Sequence, residues 1–375
     1  MRLRTLCKKK LSGGTDVKKS HRKILINAVL FFLVFALTVY GVFQGEDLRQ
    51  LFQAIQQAEP FWLFPAIACV FVFIWGESII LWHMMHSYGI HMKERHCFLV
   101  SSVGFFFSCV TPSASGGQPM QIYFMKKEKI PIPVATIILM IVTIIYKFVL
   151  VVIGLGILLF AGDFLKLYLS DILLIFYLGL GLNILCVTFM ILLVFHPFLA
   201  KKMMVAGLQL LERMHFIRHR EGRLTTLELS MDLYNETAKY MREHPWLIIR
   251  VFLITFVQRT ALFAVTYFVY RAFSLNSFPA FTIILLQAVI SVSVDMLPLP
   301  GGMGISETLF LTLFAPVFKE LLLPGMVLSR GLGYYSELLI SAIFTLAAVV
   351  VFERRQQKRK KKGKKKGKES YVGIL

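Results

Sequence analysis

Little in this chain suits a soluble enzyme or a secreted scaffold. Its five cysteines (Cys7, Cys69, Cys97, Cys109, Cys186) have no paired spacing, which argues against a disulfide framework and against a zinc site. The run His83, His86, His91, His96 fits no standard metal spacing and has only Glu94 as a nearby carboxylate, so it reads as an interfacial loop without metal. No Walker motif occurs, so ATP does not drive the chain directly. Gly304-Ile305-Ser306 lacks the glycine two residues after the serine that a nucleophile elbow needs. No catalytic residue and no cofactor is expected.

Acidic residues are also scarce, 21 Asp+Glu against 41 Lys+Arg, for a net charge of +20. The excess sits in terminal and connecting segments, where it reports membrane topology. The lysine-rich tail, Arg354 to Lys368, has neither stacking aromatics nor a groove-reading motif. It reads as a disordered anchor at anionic head groups, with no nucleic acid as partner. The longest polar connection, about residues 197–245, is too short for an independent enzyme domain. Within it Leu208, Leu211, Met214 and Phe216 lie among basic residues, which predicts an interfacial helix.

What the chain does have is hydrocarbon. It is 57% hydrophobic with mean hydropathy +0.69, and several apolar runs exceed the roughly 20 residues that cross a bilayer. Six full spans are expected, at about 24–43, 61–83, 134–160, 171–195, 246–270 and 325–351. No small-residue cleavage site follows the first run, so it reads as a retained span. The expected organisation is a basic N-terminal segment (1–23), a membrane domain (24–352) and a lysine-rich tail (353–375).

Two further apolar segments, near 97–127 and 281–316, are interrupted. The first break is Thr111-Pro112-Ser113-Ala114-Ser115-Gly116-Gly117-Gln118-Pro119, the second Leu297-Pro298-Leu299-Pro300-Gly301-Gly302-Met303-Gly304. A broken helix in lipid leaves backbone groups unpaired, which is tolerated only where protein or a cavity covers them. Paired breaks in corresponding halves of a chain point to a transporter's binding site.

Charge decides whether these segments cross. Lys8, Lys9, Lys10, Lys18, Lys19, Arg22 and Lys23 place the N-terminus in the cytoplasm, and Glu46, Asp47 and Glu59 fall outside. Lys93 and Arg95 precede the first break, and Lys126, Lys127 and Lys129 follow it. A re-entrant hairpin keeps both groups inside. The same accounting puts the second hairpin on the outer face and the C-terminal tail inside. Three full spans between the hairpins then make an inverted repeat of an all-α polytopic membrane protein.

Charges inside apolar segments cost roughly 2.5–3.5 kcal/mol each at the bilayer centre, so they should meet one another, the breaks or water. Here they are Glu77, Lys147, Arg259, Asp295, Glu307, Arg330 and Glu337, with Lys147 and Arg330 each about 30 residues after a glycine pair. One reading pairs Lys147 or Arg259 with Glu77, and Arg330 with Asp295, Glu307 or Glu337. The other gives Lys147, Arg259 and Arg330 a lipid phosphate to bind. Ser115, Gly116, Gly117, Gln118, Gly301, Gly302 and Gly304 would add backbone approach and a helix N-terminus to that site. Glu77, Asp295, Glu307 and Glu337 would balance the cations or hold a cationic head group. Pro119 suits the first turn of a restarting helix, and Ser306 with Glu307 suits a cap and a dipole-complementing acid.

The two breaks, with Lys147 downstream of the first and Glu307 after the second, resemble the lysylphosphatidylglycerol synthase transmembrane family. That family includes the membrane domain of the bacterial multiple peptide resistance factor. The likeness runs over roughly residues 20–350. It implies a bacterial cell membrane protein that flips anionic or aminoacylated phospholipid, contributing to envelope charge and resistance to cationic peptides. In full-length relatives a separate cytosolic domain transfers lysine from lysyl-tRNA. After residue 352 this sequence has only its lysine-rich tail, so it is not expected to be an enzyme by itself. The alternative is the membrane part of a phosphatidylglycerol lysyltransferase or another lipid-linked transferase. Membrane phospholipid is the expected partner. A separate lipid-modifying enzyme and a second copy of the chain are left open.

Overall fold

The computed structural model describes residues 55–111, 114–160, 172–196, 223–297 and 304–372, with isolated positions between them. The expected span at 24–43, the basic N-terminus, Gly301 and the apolar residues at 208–216 lie outside the described residues. Every described element is helical. Among the described residues, five helical stretches are long and apolar enough to cross a membrane, and they coincide with the last five expected spans.

Helix α1 (Pro60–Ser87) starts with proline at its first position, where a missing N–H costs nothing. Helix α2 (Glu94–Val110) carries Glu94 in its first turn, complementing the positive helix end. The first break reverses the chain into α3 (Gly117–Lys127), which ends on Lys126 and Lys127. Helices α4 (Ile132–Phe160) and α5 (Leu173–Phe195) follow, then the connecting helix α6 (Arg223–Glu243) and α7 (Pro245–Ala272). The second broken element is α8 (Ala280–Val294) with α9 (Ile305–Leu313). Helix α10 (Ala315–Phe318), a 3₁₀ turn, α11 (Leu322–Arg330), a π-turn (Gly331–Tyr335) and α12 (Ser336–Val372) are the last described elements.

Helix α12 carries the ladder to Val372, where the sequence reading expects a disordered tail. Extending an existing helix avoids the cost of nucleation, and lysine is a good helix former.

Helices α1 and α7 form the most extensive helix pair and run antiparallel. The Glu59 N–H donates to the Ala272 carbonyl (2.8 Å), joining the start of one to the end of the other. Midway, Gln258 Nε2 donates to the Phe73 carbonyl (2.7 Å). The order span–hairpin–span therefore occurs twice: α1, α2–α3, α4, and then, upside down, α7, α8–α9, α11–α12. The inverted repeat read from charge is present in the fold.

Both hairpins end against the middle of α4, approaching from opposite ends. Gln118, in the first turn after the first break, donates through Nε2 to Thr143 Oγ1. One helical turn along α4, Lys147 Nζ meets Asp295 Oδ2 at the second break (2.6 Å). Apolar cores flank this layer on either side. Residues 134–145 of α4 and 247–251 of α7 pack into one, while 150–157 and 263–273 pack into the other. Tyr146, Lys147 and Arg259 fall between them.

The second hairpin tip also leans on α5, where buried Asn183 donates to the Gly179 carbonyl (3.0 Å) and the Val292 carbonyl (3.3 Å). A Cβ on Gly179 would lie 2.6 Å from both Ser293 Cα and the Val292 carbonyl oxygen, and backbone cannot rotate away. Gly179→Ala is expected to destabilise the protein by about 1–3 kcal/mol through overpacking. Gly181→Ala, with nothing within 4 Å, should be close to neutral. Unfolding titrations of both in mixed micelles check this; equal stability of the two variants would refute the packing.

Candidate functional site

Each break is closed by a side chain of its own. At the first, Thr111 Oγ1 donates back to the Phe107 carbonyl (2.6 Å) and accepts the Gly116 N–H (2.8 Å). Thr111 thereby ends α2 and positions the next turn. Gly117 lets α3 lie on α2, since a Cβ there would sit 2.1 Å from Ser108 Oγ and 2.8 Å from the Gly104 carbonyl. A neighbouring helix is what approaches this glycine, as its lack of a side chain allows. Ser115 is exposed on the turn.

At the second break Gly302 (φ +67°) and Gly304 (φ +88°) hold left-handed backbone that glycine alone adopts without strain. Gly304, and not the expected Ser306, is the cap residue of α9, because the helix begins at Ile305. Glu307, third in the helix, accepts the Gly304 N–H (2.7 Å) and the Ser306 hydroxyl (3.0 Å) through Oε2. Its other oxygen, Oε1, accepts from Arg330 Nε at 2.8 Å. One carboxylate thus caps a helix and neutralises a buried cation.

Lysine 147 pairs with Asp295, not with Glu77. Asp295 Oδ1 also accepts from the Tyr146 hydroxyl (2.8 Å), and Lys147 Nζ lies 2.9 Å from Met296 Sδ. The sequence reading set Asp295 beside Arg330 as one option. In the structure each basic residue instead takes one acid of the second hairpin, Lys147 the one before the break and Arg330 the one after it. Both carboxylates belong to the same tip, which lies between α4 and α11.

Between these pairs lies Arg259 on α7. Its guanidinium stacks over Tyr146, 3.4 Å from the ring centroid, and lies 4.8 Å from that of Phe73. Glu77 of α1 and Glu337 of α12 both act on it electrostatically. Neither forms an ion pair with it among the described residues, and its buried Nε has no hydrogen-bond partner. Glu77 instead accepts from Gln121 Nε2 of α3 (3.0 Å). Glu337 accepts from the Cys109 thiol at the end of α2 (3.7 Å). The Tyr334 hydroxyl donates to the Cys109 carbonyl (3.0 Å), and Arg330 lies 5.0 Å from the Tyr334 ring centroid. Polar contacts thus run inward from both ends, from Lys147 through Asp295 and Tyr146 to Arg259, and from Arg330 through Tyr334 and Cys109 to Glu337.

The seven charged residues singled out in the sequence all belong to this layer. Tyr146, Gln121, Thr143, Cys109 and Tyr334 were not singled out. Each is uncharged and singly unremarkable in an apolar helix. One signal was available for Gln121, which stands one turn after Gly117 on the face that α3 turns to α2. The π-turn beside Arg330 has no sequence signature beyond Gly331 and Gly333; such turns recur at functional sites.

Chemically, the layer offers three cations (Lys147, Arg259, Arg330) against four carboxylates (Glu77, Asp295, Glu307, Glu337). Of the three cations, Arg259 is the one that forms no ion pair with a described residue. No curated protein matches the chain. Residues 24–360 match the family described as the lysylphosphatidylglycerol synthase TM region, and the chain belongs to that family.

Proposed function

We propose that the chain moves phospholipid across a bacterial cell membrane, with the layer between the hairpin tips receiving the head group while the tails stay in hydrocarbon. The lipid is anionic or aminoacylated, of the lysylphosphatidylglycerol type, and its transfer would contribute to envelope charge and to resistance to cationic peptides. Both termini are cytoplasmic in this reading, by the charge bias of the loops. The observation that carries it is Arg259: a buried guanidinium with an unpartnered Nε, stacked on Tyr146, at the level where two broken helices meet. Lys147 and Arg330 exchange their carboxylates for the lipid phosphate as it passes. Glu77 and Glu337 balance Arg259 when no lipid is present and meet a cationic head group when it is. The family's description supports a lipid-related role and a membrane location.

Purified protein in liposomes with a fluorescent phosphatidylglycerol tests this. A charge-assisted contact contributes about 1.5–3 kcal/mol. Arg259→Gln, Lys147→Ala and Arg330→Ala should each slow lipid movement by at least about tenfold. Wild-type rates in all three variants would sink the site.

The family's description, which names a synthase, also supports a second reading: the membrane part of a lipid-linked transferase working with a separate catalytic partner. The chain alone should then move no lipid. Incubation with lysyl-tRNA and phosphatidylglycerol should yield no aminoacylated lipid under either reading, and product formation would make this chain a transferase itself.

A further inference from the structure

Away from the hairpin tips, a groove of about 1460 Å³ opens between α1, α2 and α12, at the end of the bundle where α2 begins. This exceeds the roughly 300–1,000 Å³ of small-ligand sites. Its walls are apolar and aromatic, with Phe71 and Trp75 from α1, Phe98 from α2 and Phe344 from α12. Phe71 is 46% and Trp75 53% exposed, so among the described residues no helix covers this wall. The faces of membrane helices turned this way meet hydrocarbon.

The end of the groove is basic. Lys93, Arg95, His96 and Arg355 line it, with Glu94 the only acid among the lining residues. Arg355 is already engaged, since its Nη1 donates to Glu128 Oε1 (2.9 Å) and to His96 Nδ1 (3.0 Å). That clamp ties α12 to α2 and to the end of α3, and so fixes the floor. Glu94 Oε1 accepts from Trp75 Nε1 (3.2 Å), which holds the indole at the boundary between the basic end and the apolar wall. Lys93 and Arg95 are exposed and form no ion pair with any described residue.

An indole held at the border of a polar and an apolar zone is the arrangement of membrane interfaces. Basic side chains beside it attract anionic lipid by about 1 kcal/mol each. A soluble anion would satisfy Lys93 and Arg95 but leave the aromatic wall uncovered. A neutral lipid would cover the wall but leave the two cations unmatched.

We propose that this groove binds an anionic phospholipid of the adjoining leaflet, its phosphate between Lys93 and Arg95 and its acyl chains along Phe71, Trp75, Phe98 and Phe344. The site goes beyond the transport reading, because a lipid held here lies at the bundle's basic end and not at the hairpin tips.

The test places a photoreactive benzoylphenylalanine at Phe71 of the full chain, in liposomes with equimolar phosphatidylglycerol and phosphatidylcholine of identical acyl chains. Mass spectrometry of the adducts should show phosphatidylglycerol ahead by roughly tenfold. Lys93→Ala with Arg95→Ala should bring the two lipids to parity. Lys93→Arg with Arg95→Lys should keep the preference, separating charge from fold. Ala68→Trp, which fills the groove wall, should lower both adducts. Equal labelling of both lipids by the wild type would overturn the proposal, and that comparison needs no variant. So would loss of the preference in excess inorganic phosphate, which would mark a free-anion site, or an adduct to another segment of this chain. The preference should persist in Arg259→Gln, so failure of the transport reading and failure of this one are separate results.

Discussion

Replacing Asp295 with alanine is expected to destabilise the protein by about 3–5 kcal/mol, because it strands a buried ammonium. The Lys147–Asp295 side chains are only 13% and 11% exposed, and Asp295 accepts from both Lys147 and Tyr146. Without the carboxylate, Nζ keeps only weak company among the described residues, the Met296 sulfur at 2.9 Å and the Tyr146 ring, and a thioether is a weak acceptor. Removing both charges together has a different consequence. Apolar replacements of similar volume for a buried pair are often neutral or stabilising. Lys147→Met with Asp295→Leu should therefore recover most of the loss. An unfolding double-mutant cycle in mixed micelles measures the coupling. Single and double variants of equal stability would show that the pair is not a coupled unit. The same double variant should fail to move lipid while staying folded, which separates the stability of the pair from its proposed role.

The second large effect is expected at Glu307. Its side chain is 5% exposed and serves three donors: Arg330 Nε, the Gly304 N–H and the Ser306 hydroxyl. Glu307→Ala leaves Arg330 without this carboxylate and removes the first-turn acid that complements the positive end of α9. The expected cost is about 3–5 kcal/mol for the broken buried pair, with roughly 1 kcal/mol more for the lost cap. Glu307→Gln keeps an acceptor toward the cap and loses the charge, so it should fall between alanine and wild type. Hydrogen exchange resolves the two contributions. The first turn of α9 should exchange faster in Glu307→Ala than in Glu307→Gln, while both lose the ion pair. Equal exchange in the two variants would mean that the carboxylate does not hold the helix start.

These two acids show where sequence reading stops. Glu307, three residues beyond a glycine, could be read as a first-turn acid because capping depends on neighbours along the chain. Ser306 was the wrong partner for it: the helix begins two residues earlier than a serine cap requires, and Gly304 takes the cap position through a backbone angle only glycine adopts freely. Asp295 could be recognised as a charge needing a partner, yet its choice of Lys147 over Arg330 depends on how far α8 reaches beside α4. The close fit of Gly179 against Ser293 fixes that reach. No spacing rule encodes a contact between residues so far apart in the chain.

The groove beside Trp75 has the same origin. Lys93 and Arg95 are visible as topology signals in the sequence. That they border an aromatic wall from three helices follows from the packing of α12 against α2 and from the Arg355 clamp. The π-turn next to Arg330 is likewise a product of packing. Its two glycines have open space around them and would not have revealed it.

By itself the sequence determined the all-α membrane class, the five described spans, the two breaks and the inverted sense of the halves. Each rests on a local quantity: apolar length against bilayer thickness, backbone groups that cannot stay unpaired in lipid, and basic residues that cannot easily cross. Tertiary structure alone decided that both breaks meet one turn of α4, which acid neutralises which base, and that Arg259 stands stacked on Tyr146 without an ion pair among the described residues. Those outcomes depend on distances of a few ångströms between helices far apart in the chain. In a low-dielectric interior, such distances decide whether a charge is paired, capped or left to bind something else.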